Sequence, residues 1–351
     1  MRAMATGATR DEETLRSGIV AWFADAFPER EGLRVDHLVR PAAGWSTETV
    51  IAGVAWNGGH QRLVFRLPTV TPSFPSPALH EQAAVLAVLD SSPVPVPHVV
   101  AVVDDTQWID SPFMVMTFVD GRPVGEVPAL DPWVIEAPVE QQRVVHEGFL
   151  RALAALHRVD WQSPGLDKTL RTGVSSEIEY WLGYVDWAAH GRPAPALVEA
   201  FEWCAQTMPK TAKQKRSMSL LWGDARMGNA MYERHARIVA LVDWELATIG
   251  PAEMDLAWYL ALDELIFTFL QQRAPGFLER DEAIAFYENE LGRPVADLAW
   301  HEIFALARSI AINDCQARLA RAAGTDYPGI PGPDNPILHM LTERIERFQG
   351  T

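Results

Sequence analysis

The chain has 351 residues, 48% of them hydrophobic and 22% charged, which rules out a mainly disordered polymer and fits roughly two domains of about 150 residues, or one two-lobed unit. Lys+Arg total 30 against Asp+Glu 46, a formal net charge of -16 that argues against non-specific nucleic-acid binding and against docking on anionic membranes. Cationic small molecules remain compatible with that surface, although solubility alone also accounts for it.

The opening stretch MRAMATGATRDEE has no apolar centre, so no signal peptide is expected. The longest unbroken apolar run, residues 83–89, is far short of the roughly 20 residues a membrane span needs. Cys204 and Cys315 are too few for a disulfide framework or a cysteine metal cluster and point to a reducing compartment. A cytoplasmic protein with no membrane partner is expected.

Residues 11–27 carry an amphipathic helical face of Leu15, Ile19, Trp22, Phe23 and Phe27. Residues 34–67 are β-rich, with the turn signal Asn57-Gly58-Gly59 between two runs, TETVIAGVAW and QRLVFRLP, that read as a hairpin. The Pro/Ser-rich TVTPSFPSP must be a loop. A helix is expected over 78–90, with Ser76 placed to cap it and Pro77 suited to its first turn. VPHVVAVVDD and PFMVMTFVDG read as two further strands. After Gly121-Arg122-Pro123 helical patterns take over, at 140–158, 175–189, 194–208, 252–272, 281–292, 297–322 and 336–349, interrupted by short strand-like runs within 219–246. The result is an α+β pattern: a β-rich N-lobe, residues 1–119, and a mainly helical C-lobe, residues 120–351, joined by a hinge near 117–122. A cleft between lobes is a common ligand site.

The most informative stretch is LLWGDARMGNAMYERHARIVALVDWELATIGPAEMDLAW, residues 220–258. Gly223 and Gly228 mark a tight loop that carries Asp224 and Asn229, and Asp243 ends the next apolar run. A loop beside a strand end can gather these three, and two carboxylates with an amide oxygen suit Mg²⁺, a hard oxygen-seeking ion. No Cys or His cluster has zinc spacing. Phosphoryl transfer uses such a set: one Asp orients the nucleophilic hydroxyl and takes its proton late, while an Asn and a second Asp hold Mg²⁺ against the phosphates. The plain alternative is a turn with Asx hydrogen bonds.

Gly-Asp-x4-Asn followed by a strand-end Asp resembles the aminoglycoside phosphotransferase family, which shares the protein-kinase architecture. The wording DARMGNAMY…VALVDWELATIGPAEMDLAW is most similar to the branch of kinase-like domains fused to some acyl-CoA dehydrogenases. The resemblance covers about residues 34 to 320 and implies a two-lobed kinase-like fold and an ATP- and Mg²⁺-dependent phosphotransferase acting on a hydroxyl of a small molecule. It implies Asp224 as the catalytic aspartate, Asn229 and Asp243 as Mg²⁺ ligands, and Asp255 as a brace for the catalytic loop. It implies Glu81 as partner of the cation that anchors the nucleotide phosphates, Met116, Thr117, Phe118 and Val119 as the hinge that binds adenine, and residues 42–49, with Ser46 and Thr47, as the phosphate-covering turn. Acceptors implied are aminoglycosides, with antibiotic resistance as a role, or hydroxyacyl-CoA-like metabolites.

The chain departs from the family pattern in three places. Trp222 stands where many members have His. Asp243-Trp244-Glu245 stands at the DFG-like position, and Glu245 is open to being a further metal ligand, a contact to a substrate cation, or a solvated residue. The anchoring lysine is missing, since the four lysines all lie beyond residue 167, so Arg66 is the candidate replacement, with Arg62 its rival on the same strand face. The basic run at 210–216 reads as a solvated face and His157 as a packing or bracing residue. Two other readings stay open: a kinase-like protein that holds nucleotide without transfer, and a metallohydrolase built on the same carboxylates.

Overall fold

A computed structural model describes residues 10–41, 46–162, 165–214, 218–325, 327 and 335–349. The N-terminal elements are α1 (Glu12–Ala26), β1 (Arg34–Val39), β2 (Thr47–Trp56), β3 (Gly59–Pro68), α2 (Leu79–Leu89), β4 (Val99–Val103) and β5 (Phe113–Thr117). The strands form one antiparallel sheet in the order β1-β2-β3-β5-β4. The hairpin forms where expected: Trp56 pairs with Gly59 across Asn57-Gly58, and Gly58 takes a positive φ of 90.

Successive side chains on a strand point to opposite faces, and that alternation divides the lobe. Phe113 and Val115 face α1, whose Leu15, Ile19, Trp22 and Phe23 form a separate core with Val50, Leu63, Phe65 and Leu67. Met114 and Met116 face the other way and join Leu79, Val85, Leu86 and Leu89 of α2 in the larger core. The cap of α2 differs from expectation. Its helix starts at Leu79 because Ala78 sits at φ 49, in the left-handed region, and the Ser76 hydroxyl accepts the Ala78 N–H (3.2 Å) without capping the helix.

The remainder is mainly helical: β6 (Arg122–Pro123), α3 (Pro132–Ile135), α4 (Val139–His157), α5 (Val174–Ala188), α6 (Pro195–Thr207), β7 (Met218–Leu221), β8 (Ala230–Tyr232), β9 (Ile238–Leu241), β10 (Thr248–Pro251), α7 (Glu253–Leu270), α8 (Arg280–Leu291), α9 (Leu298–Ala322) and α10 (Pro336–Gln349). Two small sheets, β10-β7 and β6-β8-β9, follow, and Arg66 of β3 reaches Asp243 in the connection between β9 and β10. The Pro-rich segment after β3 ties the halves together, as Tyr184 of α5 donates to the Ser73 carbonyl (3.0 Å) and its ring meets Phe74 at 5.4 Å. Among the described residues no helix is long and apolar enough to cross a membrane.

α4 is tied to the segment after α7 by a buried His146, whose Nδ1 accepts the Leu278 N–H (2.9 Å) and whose Nε2 meets the Tyr259 hydroxyl. Burial, then the charges of Arg273 and Arg143, push His146 down to about 3 from 6.5. The unfolded chain therefore binds more protons between these values. The stability of the neutral ring is complete above about pH 6.5 and is lost toward pH 3, by up to about 1.4 kcal/mol per pH unit. Buried His301, lowered to about 4, acts in the same direction. Urea midpoints should fall from pH 7 to pH 5, and fall less in His146→Gln; equal losses in both chains would contradict the assignment.

Candidate active site

The loop after β7 starts on a forced glycine. Gly223 has φ +83, and a Cβ there would lie 2.0 Å from the Leu246 carbonyl oxygen. Fully buried Asp255, in the first turn of α7, braces this loop. Its Oδ2 accepts the Trp222 N–H (2.6 Å), its Oδ1 accepts the Gly223 N–H (2.9 Å), and His157 Nε2 meets Oδ2 at 3.1 Å. His157 Nδ1 is held by the Tyr287 hydroxyl (2.6 Å), so His157 sits behind the loop as a brace. Trp222 supplies a further tie: its indole donates to the Val242 carbonyl (2.9 Å) and its ring stacks on Trp244 at 5.6 Å.

These ties present Asp224 at the loop surface. Its Oδ1 accepts from Trp258 Nε1 (2.9 Å), and its Oδ2 accepts from Arg226 Nε (2.8 Å) and Asn229 Nδ2 (2.8 Å). Asn229 also donates to the Asp224 carbonyl (3.0 Å), which fixes the amide and leaves its Oδ1 with no donor among the described residues. The Asn229 carbonyl accepts the Val242 N–H (2.9 Å), and so places Asp243 beside the loop. Asp243 has φ +66, an uncommon conformation for a non-glycine residue and one that concentrates at functional sites. Burial works against the charge of Arg226, but Asp224, Glu126 and Asp243 outweigh it and hold the guanidinium above its usual range.

Arg66 reaches across from β3, donating to Asp243 Oδ1 (2.6 Å) and to the Thr49 hydroxyl (3.2 Å). Arg62 is occupied elsewhere: it donates to both Asp120 oxygens (2.6 Å each) and lies 4.0 Å over the Phe118 ring. The expected Arg66–Glu81 pair is not formed. Glu81, in the first turn of α2, makes no ion pair among the described residues, and the Arg66 guanidinium is engaged by Asp243 and Thr49. Residues 42–45 of the expected phosphate turn lie outside the described residues. Thr47 is buried at the start of β2, which leaves Ser46 as the more open of the two candidates. Ser46 is hydrogen-bonded to the half-buried Glu245, so Glu245 is not simply solvated; burial and then the Asp243 charge push its carboxyl up, opposed by Arg66 and Ser46.

In the hinge, Met116 is buried, the Thr117 N–H donates to the His98 carbonyl (2.9 Å) and the Phe118 N–H to the Arg62 carbonyl (3.4 Å). The Val119 N–H has no acceptor among the described residues.

The donor set fits Mg²⁺. Among the described residues no three His, Cys, Asp or Glu side chains gather to hold a metal by themselves. Asn229 and Asp243 offer oxygen atoms only, and Mg²⁺ characteristically takes one or two protein oxygens and completes its shell with phosphates and water.

Three residues of the site escaped the sequence reading. Arg226, two after Asp224, had a visible signal in its spacing. Trp258 and Arg308 had none: Trp258 looks like a core position and Arg308 like a surface charge, yet Trp258 reaches Asp224, and the buried Arg308 donates to the Gly223 carbonyl (2.7 Å) with its guanidinium 4.6 Å over the Trp258 ring.

The Arabidopsis thaliana protein named Probable acyl-CoA dehydrogenase IBR3 is 26% identical over 255 residues, 67% of this chain but 30% of that protein. The chain thus spans less than a third of that relative. A candidate aminoglycoside phosphotransferase from Ralstonia eutropha JMP134 shares the fold with a TM-score of 0.69 at 22% identity, covering 97% of this chain and 99% of its own. A thermostable mutant of aminoglycoside phosphotransferase APH(4)-Ia, solved with ADP and hygromycin B, shares it with a TM-score of 0.53 at 11% identity, over 94% of this chain and 97% of its own. The model of the phosphotransferase enzyme family, APH, matches residues 37–327. With a kinase-like α+β fold and a family match over most of its length, the chain belongs to the phosphotransferase enzyme family.

Proposed function

We propose that the chain uses ATP and Mg²⁺ to phosphorylate a hydroxyl of a small molecule, with residues 1–119 gripping the nucleotide and residues 120–351 carrying the catalytic loop and the acceptor pocket. The observation that carries this reading is the meeting of Asp224, Asn229 and Asp243 under Arg66, with donors on Asp224 and an open amide oxygen on Asn229. Asp224 orients the acceptor hydroxyl and accepts its proton late. Arg66 and Ser46 hold phosphates, and the hinge backbone at Val119 holds adenine. Asn229 and Asp243 would hold Mg²⁺, which when bound neutralises charge on the phosphates.

Two acceptor classes follow from the relatives: aminoglycoside-like polycations, as in the hygromycin B complex, and hydroxyacyl thioesters, from the likeness to proteins named as acyl-CoA dehydrogenases. Glu126 pairs with Arg226, which in turn holds Asp224, and an exposed carboxyl on that side of the loop suits a cationic acceptor. The test is an ATP-consumption screen over aminoglycosides, sugars, choline-like alcohols and hydroxyacyl thioesters, with product identified by mass. One acceptor class should gain a phosphoryl group in step with ADP release. Nucleotide binding without any phosphorylated product would support the non-transferring reading, and hydrolysis without ATP would support the metallohydrolase.

A further inference from the structure

We propose that Trp258 is a positioning residue that selects Oδ1 of Asp224 as the oxygen offered to the acceptor, an inference that rests on the phosphotransferase reading above. The two oxygens of an ionised carboxylate have about four acceptor sites between them, or two apiece. On Asp224 Oδ2 both are taken, by Arg226 Nε (2.8 Å) and Asn229 Nδ2 (2.8 Å). On Oδ1 only one is taken, by Trp258 Nε1 (2.9 Å). Among the described donors, Oδ1 is therefore the oxygen with a free site.

The indole is itself held in place. Trp258 is buried in α7, and the Arg308 guanidinium lies 4.6 Å over its ring on one side and 4.9 Å over Trp181 on the other. The same guanidinium donates to the Gly223 carbonyl (2.7 Å), so one buried arginine fixes both the loop that carries Asp224 and the ring that aims it. Turning the Asp224 carboxylate about its Cβ–Cγ bond would break three hydrogen bonds at once. In the transfer step the acceptor oxygen forms a bond to the terminal phosphorus, the bond from that phosphorus to the ADP oxygen breaks with its electron pair staying on ADP, and the hydroxyl proton passes to Asp224 Oδ1.

Trp258→Phe keeps an aromatic ring beneath Arg308 and removes only the N–H. Loss of a hydrogen bond to a charged group should lower kcat about ten- to a hundredfold while the KM for ATP stays at the native value. The melting temperature of the same sample checks that the variant is folded. A second measurement leaves Trp258 in place: its indole ¹H–¹⁵N resonance, identified by its absence from the Trp258→Phe spectrum, should move in Asp224→Ala. A folded Trp258→Phe chain with native kcat would overturn the proposal, and so would an indole resonance indifferent to Asp224→Ala. If the native chain transfers phosphate to nothing, the phosphotransferase reading fails, and the indole resonance alone still decides whether Trp258 holds Asp224.

Discussion

Replacing Asp224 with alanine is expected to lower the rate of phosphoryl transfer by about a thousandfold, within the range for a lost general acid–base group, while nucleotide affinity changes little. Among the described residues the Asp224 side chain touches neither Arg66 nor the hinge; its contacts are Trp258, Arg226 and Asn229. Its proposed role is on the acceptor, so its removal should appear in kcat. Asp224→Asn separates the two parts of its role. The amide oxygen can still accept from Trp258, but the amide cannot take the hydroxyl proton. Rates from an ADP-coupled assay, set beside nucleotide dissociation constants from the same preparations, check this. A variant as fast as the native chain would remove Asp224 from the chemistry.

Asp243→Ala is expected to have the second large effect, on nucleotide bound with Mg²⁺. Its carboxylate is the one negative group of the expected metal pair, and a charge in contact with a divalent ion in a partly enclosed cleft is felt strongly. The same carboxylate now holds Arg66 at 2.6 Å, with the two side chains 11% and 22% exposed. On the proposed reading, nucleotide entry would exchange this ion pair for two new contacts, Arg66 to phosphate and Asp243 to the metal. Losing Asp243 should weaken Mg²⁺-supported nucleotide binding about a hundredfold, near 2.7 kcal/mol. Nucleotide binding measured without Mg²⁺ should change far less, since Arg66 is then freed for the phosphates. A calorimetric titration in each condition separates the two terms.

Much of this was legible in the chain because the informative residues are neighbours in it. Asp224 and Asn229 each follow a glycine, Gly223 and Gly228, on one tight loop, and the Asn57-Gly58 turn is a local event. What could not be read was chemistry that joins distant segments. Arg66 and Asp243 are 177 positions apart, and no periodicity tells that their side chains meet. Strand alternation also could not separate Arg62 from Arg66, because an even spacing puts both on one face. The fold separates them by height along β3: Arg62 meets Phe118 and Asp120 at the hinge, and Arg66 reaches the cleft. Ser76 failed as a cap because Ala78 turns left-handed and the hydroxyl meets the Ala78 N–H instead of the first turn of α2. Trp258 reads as one more apolar residue of a buried helix, and only its indole nitrogen, facing the catalytic loop, distinguishes it.

On the proposed function, side chains from distant segments gather around one nucleotide-bound divalent ion between the two halves. Thermal melting of the native chain with ATP, with and without Mg²⁺, tests it most directly, with Asp243→Ala as the control. The native chain should be stabilised by about 2.7 kcal/mol at a hundredfold excess of Mg·ATP over its Kd, and the Mg²⁺-dependent part of that gain should vanish in the variant. A native chain that melts at the same temperature in all conditions, or a variant that gains as much from Mg²⁺ as the native chain does, would contradict it.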